Sequence, residues 1–287
     1  MKTSICRIQD YAIRYRQLLL PVVSGISQTN EYKKVVLQGQ PTVHHKICFN
    51  QEIIKRISIG TPAGEAEIML VSDREDFEHL YCALAYKCEP IPIPASVGAI
   101  TINGIINWSK INTHKHEYLA LGNTDWQAEF RRFTAEKSNY CDNIILLSSG
   151  PYSSVPAQNI RISEKEWEQK SVAIRMYHEL THFICRKLYP KKMNVIRDEI
   201  YADCIGLIAA FGAYDPCLAR VFLGIETEIY RTGGRLEHYA PKHSKEDILQ
   251  AQKWIKEAEV RVAEHWYNNM SEERPELAIF NLLMKIY

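Results

Sequence analysis

Residues 171–182 read Ser171-Val172-Ala173-Ile174-Arg175-Met176-Tyr177-His178-Glu179-Leu180-Thr181-His182. The stretch belongs to one long helix. Ser163 followed by Glu166 is the capping-box pattern that opens a helix. No glycine or proline interrupts the chain from there to about Leu188, and Pro190, which has no N–H to donate, stops it. Trp167, Val172, Ile174, Leu180, Phe183 and Ile184 spread apolar surface around much of the helix, so it is expected deep in the fold. A second helix is expected from Val195 to Phe211. Its Ala202 and Gly206 are small enough to let it approach the first closely.

His178 and His182 are four apart, on one face and one turn from each other, so their side chains can converge on one point. Neutral imidazole is a good zinc ligand, and two such nitrogens supply half of a tetrahedral site. Glu179 is displaced by about 100° around the helix. It can reach water on a metal without ligating the metal, which is the logic of H-E-x-x-H. Two histidines and a glutamate on a solvated helix face would show the same letters, but unpaired polar groups inside an apolar helix are costly. A metzincin would continue with glycine and histidine where this chain has Cys185 and Leu188, so that class is excluded. On the second helix Glu199 and Asp203 are again four apart. Glu199 can complete the ligand set, and Asp203 can accept the free ring N–H of a ligand histidine; acidic residues at this spacing otherwise form a solvated face.

H-E-x-x-H followed by E-x-x-x-D on the next helix resembles the gluzincin group of zinc peptidases, the thermolysin-like clan. The likeness covers about residues 163–211, and the short gap between the two motif halves resembles the compact intracellular members. The resemblance implies His178, His182 and Glu199 as zinc ligands, Glu179 as general base, and Asp203 behind a ligand histidine. It implies an α+β, zincin-like fold, with a small twisted sheet packed on the helix of His178 and a helical C-terminal subdomain. It also implies hydrolysis of peptide bonds by a metal-activated water, with a peptide or protein as substrate. Gly150-Pro151-Tyr152-Ser153, Trp167, Ser171, Ile174-Arg175 and the H-E-x-T-H core are similar, in addition, to an uncharacterised bacterial family with no established substrate.

Gluzincins supply a histidine or tyrosine that stabilises the oxyanion, and no fixed spacing identifies it here. Thr232 to Tyr239 is the best segment, with Arg235, His238 and Tyr239 as candidate donors; Arg235 is also a candidate for binding substrate. By analogy, the strand at 143–147 pairs with an extended peptide, so Ile145 and Leu147 are candidate substrate-binding residues. Two other readings stay open. One is a deformylase-type amidase with Cys141 as third ligand. The other is a zincin-fold binding or sensor protein without turnover.

The rest of the chain sets the frame. It has 287 residues and a formal net charge of +1, which gives no electrostatic reason for nucleic acid or an anionic membrane as partner. No apolar run approaches the roughly 20 residues that span a bilayer. The run Leu18 to Val23 is short and follows Asp10, Arg14 and Arg16, so it reads as a helix end and not an export signal. The eight cysteines form no C-x-x-C pair and are expected reduced, in the cytoplasm. Three alternate prolines at Pro90, Pro92 and Pro94 place a boundary near residue 94, dividing an α+β accessory region at 1–94 from a catalytic domain at 95–287.

Helical spacing is read in the first twenty residues. Strands are expected at 34–38, 65–72 and 143–147, and at 98–108 with a turn at Asn103-Gly104. Helices are expected from Asp76 to Tyr86, from Ser244 to about Asn268 and from Pro275 to Tyr287. His44-His45, and His114 with His116 on a strand, are read as surface residues.

Overall fold

A computed structural model describes residues 1–42, 49–189, 194–227, 229–267 and 275–287. His44, His45, Pro190 and Asn268 lie outside the described residues. The fold is α+β, and its residues form two compact units that interleave along the chain. The first comprises Met1–Ser58, Glu67–Ile93 and Ile100–Leu146; the second comprises Ile59–Ala66, Pro94–Ala99 and Leu147–Tyr287.

In chain order the first elements are β1 (Lys2–Arg7), α1 (Ile8–Arg14), β2 (Ile53–Thr61), β3 (Gly64–Val71), α2 (Arg74–Ala85), β4 (Ala99–Ile106), α3 (Trp108–Ala120), α4 (Trp126–Thr134) and β5 (Cys141–Ser148). The strands form one sheet in the order β1-β2-β3-β5-β4. The core of the first unit joins Ile8, Tyr11, Tyr15 and Leu18 to Phe77 and Leu80 and to the strand residues Ile54, Met69 and Ile144.

Several local readings of the sequence yield to tertiary context. The helical period at the N-terminus holds only from Ile8 onward. Lys2–Arg7 pairs antiparallel with β2, from Lys2 opposite Ser58 to Arg7 opposite Ile53, and a sheet edge overrides local periodicity. Residues 33–37 are a wide helical turn, not a strand. Thr29 starts the helical path by accepting from the Tyr32 N–H at 3.1 Å, and the adjacent Val35 and Val36 are both buried, which an alternating strand does not allow. Gly104 does not reverse the chain. It has φ of 73° inside a continuous β4, and its N–H donates to the Asn143 side chain at 3.0 Å. His114 and His116 stand on a helix, α3, capped by Asn107. His114 bonds Glu129 at 2.6 Å and stacks on Phe133, while His116 is exposed.

In the second unit the long helices are α5 (Glu164–Leu188), α6 (Val195–Phe211), α7 (Pro216–Leu223), α8 (Lys245–His265) and α9 (Pro275–Ile286). Their starts follow from capping chemistry. Ser163 accepts from Glu166 N, Asn194 from Arg197 N, and Ser244 and Asp247 form a reciprocal box. Gly212, with φ of 76°, ends α6 in the left-handed conformation that closes many helices. Among the described residues no helix is long and apolar enough to cross a membrane.

The packing of α5 on α6 positions everything described below. A Cβ on Gly206 would lie 2.7 Å from the carbonyl oxygen of Ile174, closer than such atoms approach, so only glycine permits this separation. Gly206→Ala is therefore expected to cost about 1–3 kcal/mol by overpacking against backbone that cannot swing aside. Urea denaturation measures it, and an unchanged midpoint would show that the two helices separate freely.

Candidate metal centre

His178 and His182 are buried on α5, and Glu199 faces them from the first half of α6. His178 Nε2 and His182 Nε2 are 3.1 Å apart. Glu199 Oε2 is 3.2 Å from the first and Oε1 is 3.4 Å from the second. Four donors bound tetrahedrally to zinc at about 2.0–2.1 Å stand about 3.3 Å from each other. The separation of the two nitrogens, and the distance from each to its nearer Glu199 oxygen, are close to that edge length.

The protons complete the picture. Asp203 Oδ1 lies 2.9 Å from His178 Nδ1. A carboxylate can only accept, so Nδ1 carries a proton and Nε2 is the nitrogen left to face a cation. Asp198 Oδ2 plays the same part for His182, 3.1 Å from Nδ1. Its alignment is poorer, and Nδ1 has no well-directed hydrogen bond. Two imidazole Nε2 atoms and a carboxylate thus converge on one point, where a cation would replace the protons that the rings otherwise share with Glu199. This donor set suits zinc.

Behind His178 is a buried network. Asp203 is 1% exposed. It accepts from the Tyr152 hydroxyl at 2.7 Å and from the Arg235 guanidinium, which also donates to Tyr152 Oη. Burial pushes the Asp203 pKa up, but Arg235, His178 and Tyr152 together hold it below the usual carboxylate range. Burial, with the Asp203 charge, drives the Tyr152 hydroxyl well above its ordinary value despite Arg235, so it is a fixed donor. At His182 burial lowers the pKa, yet the bonds to Asp198 and Glu199 outweigh it and lift the ring to about 10. Glu199 shows the mirror image. Burial raises its pKa, and the two histidines pull it well below the normal range.

Tyr152 is delivered by a tight turn. Gly150, Ser153 and Ser154 all have positive φ, at 100°, 53° and 56°. Arg175 of α5 grips the turn through the carbonyls of Ser148, Gly150 and Pro151. Ser171 Oγ accepts from Tyr152 N at 2.9 Å, and Trp167 Nε1 donates to Val155 O at 2.7 Å. A Cβ on Gly98 would lie 2.3 Å from Arg175 Nε, so this arginine fills the space that a larger residue would need.

With this geometry the chain can be compared with known proteins. The model of one family matches residues 6–286. The chain belongs to DUF7005, a family of unknown function. Neither curated proteins nor solved structures give a match.

His178, His182 and Glu199 come together as the spacing implied, and Asp203 bonds the first of them. Glu179 is half-buried beside His178, and its charge acts on His182. Tyr239 is half-buried near the cluster, with the Arg235 guanidinium 5.9 Å from its ring centre. Its hydroxyl pKa is driven well above the usual range by burial and by the charges of Glu199 and Asp203, against Arg235. His238 is exposed and meets Ser96 Oγ at 3.2 Å. Arg235 is not directed at a substrate; it is buried and committed to Asp203 and Tyr152. Ile145 and Leu147, expected to bind substrate, do not lie on a sheet edge. Both are buried, and β5 runs between β3 and β4, so an inner strand offers no free backbone edge to a peptide. The sequence reading missed Asp198, although it adjoins Glu199, and gave no role to Tyr152.

Arg235→Met would leave the Asp203 carboxylate buried without its counter-ion. Removing one partner of such a pair costs about 3–5 kcal/mol. Denaturant unfolding of the metal-free protein reads this directly, and a loss within experimental error would mean that the ion pair does not hold the fold.

Proposed function

We propose that this chain is a zinc-dependent peptidase of the gluzincin type, with a zincin-like catalytic part acting on peptide or protein substrates. The observation that carries the reading is the convergence of His178 Nε2, His182 Nε2 and the Glu199 carboxylate at zinc-ligand spacing, with a carboxylate behind each Nδ1.

Zinc, when bound, supplies a Lewis acid that activates water and polarises a carbonyl. The remaining work falls to side chains. Asp203 and Asp198 fix the tautomers of His178 and His182 and keep the Nε2 lone pairs turned to one point. Glu179, adjacent to His178 and outside the ligand set, takes the proton of the attacking water on its carboxylate and passes it to the leaving amine. Tyr239 is the best-placed of the oxyanion donors read from the sequence. Its raised pKa keeps the hydroxyl protonated at neutral pH, so it can donate to developing negative charge. His238, exposed and bonded to Ser96, is the weaker choice. A cytoplasmic location belongs to the same reading, supported by free, buried thiols at Cys82, Cys88, Cys185 and Cys204.

Metal analysis of the purified protein, joined to digestion of a broad peptide library with and without chelator, tests the reading. Wild-type protein is expected to hold zinc and to cleave, and chelator to abolish cleavage. Glu179→Gln should keep the metal and lose about 10²–10⁴-fold in turnover, the usual contribution of a general base. His182→Ala should lose the metal itself. Zinc-loaded wild-type protein that cuts nothing in the library would sink the peptidase assignment.

A further inference from the structure

The two ligand histidines are supported by different means. Asp203, behind His178, is gripped by Arg235 and Tyr152. Asp198, behind His182, is half-buried, and its other oxygen, Oδ1, accepts from the Tyr287 hydroxyl. Tyr287 directly follows α9. Its N–H bonds Leu283 O at 3.0 Å, and its ring packs against Tyr189, just past α5, and edge-on against Tyr201 of α6. Helix α9 in turn is docked by Ile279, Phe280, Leu282, Leu283 and Ile286, all buried. Arg261 of α8 donates to Ile286 O at 3.0 Å.

We propose that Tyr287 and Asp198 form a positioning relay through which docking of α9 sets the orientation of His182 and hence the metal affinity of the site. The inference rests on the zinc reading above and adds a regulation to it. An imidazole ligand is aimed by whatever its second nitrogen bonds, and the group behind that nitrogen is effective only if it is itself held. Asp198 meets His182 Nδ1 at 3.1 Å with poor alignment, so its orientation is the adjustable one of the two. The hydroxyl of Tyr287, directly after α9, is the group placed to fix it. Without Tyr287 Oη, Asp198 is free to turn toward solvent and His182 loses its aim. Linkage then works in both directions: a docked α9 tightens the metal, and the metal stabilises the docked α9 by the same factor. Neither residue touches the metal or the reacting atoms; both act through His182.

The test is a double-mutant cycle on zinc affinity, measured by competition with a chromophoric chelator, so that it needs no substrate. Tyr287→Phe removes one oxygen and keeps the ring against Tyr189 and Tyr201. Its expected effect is about tenfold weaker zinc binding, the lower end of what outer partners of metal ligands contribute. Asp198→Ala is expected to cost about 10–100-fold. In the Asp198→Ala background Tyr287→Phe should add nothing, because its path to His182 is already cut. Hydrogen exchange supplies the second readout: zinc should slow exchange in α9 of the wild type, and less so in Tyr287→Phe. Unchanged affinity in Tyr287→Phe, or the same loss in both backgrounds, overturns the relay while leaving the zinc site intact. Wild-type protein that takes up no zinc overturns the metal reading, and the relay with it.

Discussion

The close approach of Ile174 to Gly206 governs the geometry of the site. With no side chain on Gly206, the backbone of α5 comes within a distance that any Cβ would forbid. From that contact each turn forward along α5 meets a turn backward along α6. One step brings His178 opposite Asp203, and the next brings His182 opposite Glu199 and Asp198. The antiparallel register of two helices thus gathers five polar side chains, three as candidate ligands and two behind the histidines. A helix pair one ångström wider would leave the same residues facing each other without bonding.

The register also concentrates charge. Asp198, Glu199 and Asp203 sit around two imidazoles, with the Arg235 guanidinium among them. Burial alone would push the carboxylates toward neutrality. Instead Asp203, Glu199 and Asp198 are all held below the usual carboxylate range by positive partners and hydrogen bonds. The same field lifts His182 to about 10 against its own desolvation. The cluster therefore demands positive charge beyond what Arg235 supplies. Protons on the rings answer that demand, and a cation bound there would compete with them for the same Nε2 lone pairs.

The parts of this arrangement that were legible in the sequence are those set by helical period. His178 and His182, then Glu199 and Asp203, declare themselves by a spacing of four within two expected helices, the first opened by the local capping signal of Ser163 and Glu166. Gly206 could be read as a small residue permitting close packing, and it is one. What escaped the sequence are partners brought from far away. The Tyr152 hydroxyl reaches Asp203 across 51 residues, and Arg235 reaches Tyr152 across 83. Arg235 was read as a donor for substrate because a polar residue in a glycine-rich segment carries no sign of burial. The N-terminal strand and the turn at Lys33–Leu37 were misread for the same reason: sheet pairing and burial of adjacent valines are tertiary facts. Leu147 and Ile145 were placed on a peptide-binding edge because strand order cannot be read from one strand.

Tyr152 shows how such a distant contact is held. Ser153 and Ser154 both adopt left-handed backbone without being glycine, at a cost of roughly 1–2 kcal/mol each. A free loop would relax. Here three carbonyls of the turn, those of Ser148, Gly150 and Pro151, are fastened to Arg175. Tyr152 N is fastened to Ser171, and Val155 O to Trp167. All three anchors belong to α5, the helix of His178. The strain is therefore offset by the element whose histidine the turn serves, and any shift of α5 carries Tyr152, and with it the support of Asp203, in the same direction as His178.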